Sequence, residues 1–464
     1  MNIFTAIQLN NLDVVKQWLI TGIDLNKSDN DGFTPINKAS YLCHTIIVKL
    51  LLIQPGIDFN KPDDNKYTPI NHASYNGHAK IVKLLLAQPG IDFNEPNNYG
   101  WTPINFASYE GHIEIVKLLL AQPGIDFNKP DKYCLTPINS ASYKGHIEIV
   151  KLLLAQPGID FNRTDDGGLT PIYYASCKGH TEIVKLLLAQ PGIDFNKQDN
   201  FGMTPINIAS YRGYTEIVKL LLAQTGIDFN KSGNSGSTPI NCASREGHTE
   251  IVKLLLAQPG IDFNKPAYYE RTPINNASYY GYMVIVKLLL RQPGIDFNKP
   301  NKNGMTPINS ASREGHTEIV KLLLAQSGID FNKPNNVGMT PINYASHKGH
   351  TEIVHILEEY QKKPAKLRGV YWRKCFSYII EEYFILMVLC SDDYFICPER
   401  GDIGRFFKIV VILPQELQVL IANRIVNSSY NTPRLSFINE AIDKYLIKKL
   451  IFFLIKNIVI VWYN

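Results

Sequence analysis

The residues that most invite a chemical reading are histidines. His78, His112, His146, His180, His248, His316 and His350 each follow a glycine, and their numbers differ by multiples of 34. An imidazole can ligate a metal or move a proton near neutral pH. A shared metal site needs ligand atoms about 2.1 Å from one ion, whereas groups repeated once per packed helix layer stand about 10 Å apart. The ladder therefore reads as hydrogen bonding to the loops between helices. The carboxylates of the Asp-Phe-Asn segments and their neighbouring lysines recur with the same period, so no single copy is set apart as a general acid or base. The sequence contains no G-x-x-x-x-G-K-[ST], G-x-S-x-G, H-E-x-x-H or EF-hand loop. Cys43, Cys134, Cys177, Cys242, Cys375, Cys390 and Cys397 are odd in number and contain no C-x-x-C pair, which argues against a disulfide framework or a zinc ribbon and fits a reducing compartment. The expectation is a protein that is not an enzyme, with no catalytic residue, no cofactor and no metal.

Composition narrows the class further. With 45% hydrophobic and 19% charged residues the chain can build a core, which excludes bulk disorder. Residues 1–360 carry 32 Lys/Arg against 33 Asp/Glu, while 361–464 carry 15 against 9, so the net charge of +5 resides in the tail. The long segment has no basic face of the kind that counterion release requires, and no nucleic-acid partner is expected. Met1-Asn2-Ile3-Phe4-Thr5 lacks the basic start and apolar run of a secretory signal, so the expected location is cytoplasmic.

The elements that would position these residues follow from an internal repeat. Thr-Pro-Ile starts at Thr34, Thr68, Thr102, Thr136, Thr170, Thr204, Thr238, Thr272, Thr306 and Thr340, at a strict spacing of 34 residues. In the copy from Thr306, the threonine suits an N-cap and Pro307 the first helical turn, so a short helix should begin there and stop at Gly315. Thr317-Glu318 then opens a second helix with a carboxylate in its first turn and an apolar face of Ile319, Val320, Leu322, Leu323 and Leu324. A Pro-Gly pair such as Pro259-Gly260 ends that helix, and the Asn/Asp/Gly-rich stretch after Ile-Asp-Phe-Asn reads as an extended arm with a turn at its tip.

Helix, turn, helix and arm at this period resemble the ankyrin repeat. The family's threonine-proline-leucine-histidine stands here as Thr-Pro-Ile-Asn in nine copies, with Tyr173 replacing the asparagine in the fifth, and its glycine-histidine pair is kept in seven copies, at Gly77-His78, Gly111-His112, Gly145-His146, Gly179-His180, Gly247-His248, Gly315-His316 and Gly349-His350. The usual period is 33; the extra residue lies after the second helix, where Ala-Gln-Pro-Gly is one longer than Ile20-Thr21-Gly22, and it is expected to alter that loop without affecting stacking. The resemblance implies an all-α solenoid with hairpin arms: an N-terminal partial or capping repeat over 1–33, ten repeats over 34–363, and a small helical C-terminal domain over 364–464. Ordering 34 residues costs on the order of 50 kcal/mol, which about 2,000 Å² of buried apolar area offsets, so neighbouring layers must share their faces.

Near-identical copies hold the structure constant and make the varying positions informative. In ankyrin proteins the arm tips and the end of the first helix commonly line the concave binding face. The tip candidates here are Tyr67, Tyr99, Trp101, Tyr133, Phe201, Tyr268, Tyr269 and Arg271. The first-helix column runs Tyr41, Tyr75, Tyr109, Tyr143, Cys177, Tyr211, Arg245, Tyr279, Arg313 and His347, of which Arg245 and Arg313 join the candidates. Tyrosine, tryptophan and arginine are enriched in interface hot spots. The tyrosine column has a second reading, packing against the next repeat. A monomeric scaffold or receptor for a protein target is the expected function, with a membrane-tethered receptor as an alternative.

The tail departs from the repeat phase. Leu446–Tyr463 is broken by Lys448, Lys449 and Lys456, and Glu381-Glu382 splits Ile379-Ile380 from Tyr383–Cys390, leaving apolar runs well short of the ~20 residues a membrane span needs. Leu413-Pro414-Gln415-Glu416-Leu417, followed by Val419, Leu420, Ile421, Ile425 and Val426, reads as a helix start with proline in its first turn. Over 413–426 it resembles the F-box-type helix at the C-terminus of poxvirus-like ankyrin proteins, which bind the adaptor of cullin ubiquitin ligases. That resemblance implies adaptor binding through Leu413, Pro414, Glu416 and Leu417; a structural cap is the other reading. The Asn, Ile, Lys and Tyr bias fits an AT-rich genome, and a host-directed effector of a virus or intracellular bacterium is one setting for such a chain.

Overall fold

Each repeat begins where a threonine hydroxyl accepts the backbone N–H three residues on. In the computed structural model this cap is present in all ten copies, with proline in the first turn, as at Thr136 and Asn139. The structure describes residues 1–375. Leu413, Pro414, Glu416 and Leu417, and all of the tail beyond the helix Pro364–Cys375, lie outside the described residues.

The capped helix is short because glycine ends it. Pro137–Lys144 stops at Gly145, which adopts φ 87° and so takes the left-handed conformation that an L side chain resists. His146 then turns the chain into a second helix, Ile147–Leu154, whose Ile149, Val150 and Leu153 are fully buried. Glu148 and Lys151 pair at 2.7 Å on its exposed side, an arrangement that contributes little. The first helices carry an Ala-Ser pair that is buried in every repeat from Ala39-Ser40 to Ala311-Ser312. Among the described residues there are only helices and turns, with no strand.

Three hydrogen-bond ladders join consecutive layers. In the first, the asparagine of Ile-Asp-Phe-Asn reaches forward. Asn128 donates through Nδ2 to the Gly158 carbonyl (2.8 Å) and accepts the Asp160 N–H through Oδ1 (3.0 Å), and the pattern runs from Asn26 to Asn298. The glycine belongs to the Ala-Gln-Pro-Gly loop, so the loop that holds the extra residue is part of the stacking rather than separate from it. In the second ladder, the buried asparagine of Thr-Pro-Ile-Asn donates to a carbonyl 24 residues ahead, as Asn275 does to Lys299 at 3.0 Å. In the third, the ladder histidines donate from Nε2 to the first helix of the preceding repeat at 3.0–3.2 Å, as His112 does to Tyr75. Six of these histidine rings, all but His78, also cover a glycine: a Cβ on Gly145 would stand 2.6 Å from His180 Cε1. Tyr214 and Tyr282 cover Gly179 and Gly247 in the same way.

The ends differ from the interior. The first pair, Ile3–Gln8 and Leu12–Leu19, is capped by Asn2 and Asn11 rather than by threonine-proline. In the tenth repeat Asn343 is exposed because no layer follows it, and the second helix lengthens to Thr351–Lys362. The helix Pro364–Cys375 packs against Thr317–Leu324 and against Thr351–Lys362. Leu322 and Leu324 are buried there, whereas their counterparts Leu84 and Leu86 are half-exposed.

The forward asparagine ladder supplies its own control. Asn128→Ala removes two bonds to the next layer and is expected to lower the unfolding free energy by about 1–2 kcal/mol. Asn332→Ala, at the exposed end of the ladder where no layer receives it, should change stability by less than about 0.5 kcal/mol. Urea unfolding of the two variants compares them directly.

Candidate protein-binding surface

The arms take their shape from one carboxylate or carboxamide. Asp63 Oδ1 accepts the N–H of Asn65 (2.9 Å) and of Tyr67 (2.8 Å), folding the chain back over four residues. Asp29, Asn97, Asp131, Asp165, Asp199, Asn301 and Asn335 repeat this turn. Two arms carry Gly233 and Ala267 at that place and have no such acceptor. Backbone bonds join tip to tip: Lys132 N–H to Tyr99 O at 3.0 Å, Asp166 to Tyr133 at 3.1 Å, Asn200 to Gly167 at 2.9 Å and Asn234 to Phe201 at 2.8 Å. The tips therefore form a row along one edge of the stack.

Two residues past the turn-forming residue, the side chain points to solvent. Tyr99, Tyr133, Phe201 and Tyr269 stand there, with Tyr268 beside Tyr269, and they are 48–75% exposed. The ammonium of Lys132 lies 4.1 Å above the Tyr99 ring and 5.0 Å from that of Tyr133, holding the two aromatics in place. Four residues past it, the side chain turns inward. Tyr67 is half-buried between His72 (5.0 Å) and Phe106 (5.3 Å), and Trp101 lies 5.1 Å from both Phe106 and Tyr109. Tyr67 and Trp101 thus sit beneath the tips, within an aromatic stack that starts at Phe33. Arg271, in the same position, places its guanidinium 4.5 Å over Tyr279.

The first-helix column packs forward. Tyr41 meets His72 edge-on at 5.5 Å, Tyr75 meets Phe106 at 5.5 Å, and Tyr143 meets Tyr174 at 5.4 Å, in each case a residue of the next repeat. Lysines cover part of the remaining faces, Lys144 over Tyr109 and Lys178 over Tyr143. Arg245 is exposed, with its Nε 3.3 Å from Glu246, and Arg313 is half-buried with the same contact to Glu314.

A further set escaped the sequence reading. The turn residue pairs through its second oxygen with the residue nine positions on: Asp29 with Lys38 (3.0 Å), Asp63 with His72 (2.9 Å) and Asp165 with Tyr174 (2.5 Å), while Asn335 donates to Tyr344 (2.6 Å). Complementary residue types at a spacing of nine were the available signal. Burial and the acceptor Asp165 push the Tyr174 hydroxyl well above the usual phenol range. Tyr173, which replaces the ladder asparagine, is also buried and raised, with its hydroxyl directed to Asp199 of the next arm.

Among the described residues, no group of three His, Cys, Asp or Glu side chains is placed to hold a metal ion, and no helix is long and apolar enough to cross a membrane. Sequence profiles described as ankyrin repeats in three copies match residues 47–131, 124–199, 191–267 and 269–366, and one described as ankyrin repeats in many copies matches 3–52. Among curated proteins none matches the chain.

Cysteine chemistry tests the burial pattern of this face. Cys242 lies at its floor, 4% exposed, and burial pushes its thiol up to about 12, whereas Cys43 is exposed. At pH 8 the folded chain should hold Cys242 as unreactive thiol, so labelling with a disulfide reagent is expected to be at least about 100-fold slower there than at Cys43. Peptide mapping reads the ratio, and urea should abolish the difference.

Proposed function

The chain belongs to the ankyrin-repeat family, and from that premise we propose that it is a non-enzymatic receptor that captures a protein target on the face formed by its arm tips and first helices. Ankyrin repeats are in general protein–protein interaction modules. The observation that carries the reading is the row of exposed aromatics, with Tyr99, Tyr133 and Phe201 on arms bonded in series and Tyr268 and Tyr269 on an arm bonded to the one that follows it. Large exposed apolar side chains on a rigid edge lose little entropy when a partner covers them. Arg245, Arg271 and Arg313 add guanidinium groups along the same side, while Tyr67 and Trp101 support the surface from below. The chain acts as a cytoplasmic monomer whose partner is a protein.

Replacing Tyr133 and Phe201 together by alanine in the full chain should weaken target capture at least about ten-fold, because both side chains stand on the solvent side of their arms. The thermal midpoint should stay within about 2 °C of the parent. Quantitative pull-down beside a thermal melt separates loss of contact from loss of fold, and unchanged capture by a folded double variant would remove the tip row from the interface.

A second reading is carried by Leu413-Pro414-Gln415-Glu416-Leu417, whose F-box-like pattern supports recruitment of a cullin ubiquitin-ligase adaptor. In that case the array selects a host target and the tail delivers it. Leu413→Ala with Leu417→Ala is expected to abolish adaptor capture and leave target capture intact. A full chain that captures no adaptor sinks this reading without touching the first.

A further inference from the structure

Along the row of tip-to-tip bonds from Asn98 to Asn336, the surface is interrupted at one place. The arms ending the sixth and seventh repeats carry Gly233 and Ala267 instead of the turn-forming Asp or Asn, and the tip-to-tip bond from Tyr268 N–H to Ser235 O is not made, although Asn234 to Phe201 and Lys302 to Tyr269 are joined on either side at 2.8 Å. Small side chains coincide there. Ser237 stands where Tyr67 and Trp101 stack in other arms, and Cys242 where His72 and Phe106 fill the layer. A groove of about 420 Å³ results, lined by residues of the fifth to eighth repeats.

Three features give this groove a chemistry. Arg271 faces it with its guanidinium stacked on Tyr279, and among the described residues that guanidinium makes no hydrogen bond or ion pair. Arg245 lines the same groove with only its Nε committed, to Glu246. Asn276, 5% exposed, borders it with a carboxamide that has no partner among the described residues, because the residue nine positions earlier is Ala267 rather than an acid. The wall nearest Arg271 is also strained. Tyr269 and Glu270 both adopt φ 57°, a consecutive pair of non-glycine residues in the left-handed region.

We propose that this groove binds an extended peptide segment through the carboxylate of an aspartate or glutamate. The assignment rests on the reading of this face as the protein-binding surface and names the partner's chemistry at one point on it. The carboxylate pairs with Arg271 and the free nitrogens of Arg245, a fork that matches a planar anion. Asn276 bonds the peptide backbone as both donor and acceptor, and the unmade Tyr268–Ser235 bond leaves a second donor and acceptor at the rim. Tyr268 and Tyr280 cover the flanking residue. With Glu246 already occupying part of Arg245, the charge left over suits one singly charged carboxylate better than a dianion.

The test probes the full chain with an array of short peptides in which one position is fixed as Asp, Glu, Asn, Gln or Lys, then measures anisotropy on a selected labelled peptide. Asp or Glu should be preferred about ten-fold over Asn or Gln. Arg271→Gln and Asn276→Ala should each weaken the selected peptide about ten-fold or more with unchanged thermal midpoints. Ala267→Asp, which restores the turn acceptor and gives Asn276 a partner, should remove binding while keeping the fold. Equal recovery of Asp, Asn and Lys peptides, or affinity unmoved by Arg271→Gln and Asn276→Ala in folded protein, overturns the assignment. Target capture that depends on Tyr133 and Phe201 would then still stand, so the two failures are distinguishable.

Discussion

A layer of two eight-residue helices cannot hide its own apolar surface, so every layer must be completed by the next, and this requirement governs the rest of the molecule. The partner is nearly a copy of the layer itself. Whatever a layer offers on its trailing side must therefore fit what it presents on its leading side, at one fixed spacing. Asn128 meets this demand by donating to one group of the next layer and accepting from another, and its own layer receives the same two bonds from Asn94. The buried asparagine of Thr-Pro-Ile-Asn and the Gly-His pair obey the same rule on the other side of the arm and between the helices. Those residues are nearly uniform along the chain because changing one would mismatch two interfaces, and the exceptions, Tyr173, Tyr214 and Tyr282, are tyrosines that fill the same places.

Most variation falls at positions that the ladders do not cross. The tip side chains point outward while the tip backbone is bonded, so Tyr99, Tyr133, Gly167 and Phe201 occupy equivalent places at no cost to stacking. Beneath the tips the freedom is only partial. A larger arm residue takes a matching surface on the next first helix, as Tyr67 finds in Phe106, and an acid can take a donor nine residues on, as Asp63 finds in His72, although Asp131 and Asp199 face Ser140 and Ile208 without such a bond.

The helices and their boundaries were legible in the sequence because the forces that set them are local: a threonine hydroxyl three residues from its N–H, a proline in the first turn, a glycine with positive φ. The histidine ladder could be read as structural from spacing alone. What could not be read was direction. Tyr67 and Tyr99 are both arm tyrosines, yet the turn around Asp63 folds one inward and the turn around Asn97 sends the other out, a difference of two residues within the same motif. The first-helix column admitted packing against the next repeat, but not which residues receive it, since His72, Phe106 and Tyr174 share one repeat position while their types vary from layer to layer.

In a periodic structure, the strongest local evidence is a loss that repeats at linked positions. Replacing one turn-forming acid by alanine would merely loosen an arm, and replacing one stacking aromatic by serine would merely leave a gap. Gly233 and Ala267 lie in consecutive arms, Ser237 and Cys242 fall in the space between them, and Asn276 is left without the acid its layer would otherwise supply. Each change alone weakens a layer that has little stability to spare, yet the flanking ladders from Asn196 to Asn298 continue without a break. The stack thus keeps its spacing while the surface opens. An array whose layers are otherwise held to one pattern concentrates free guanidinium, carboxamide and backbone groups in the one stretch where the tip ribbon from Asn98 to Asn336 is parted.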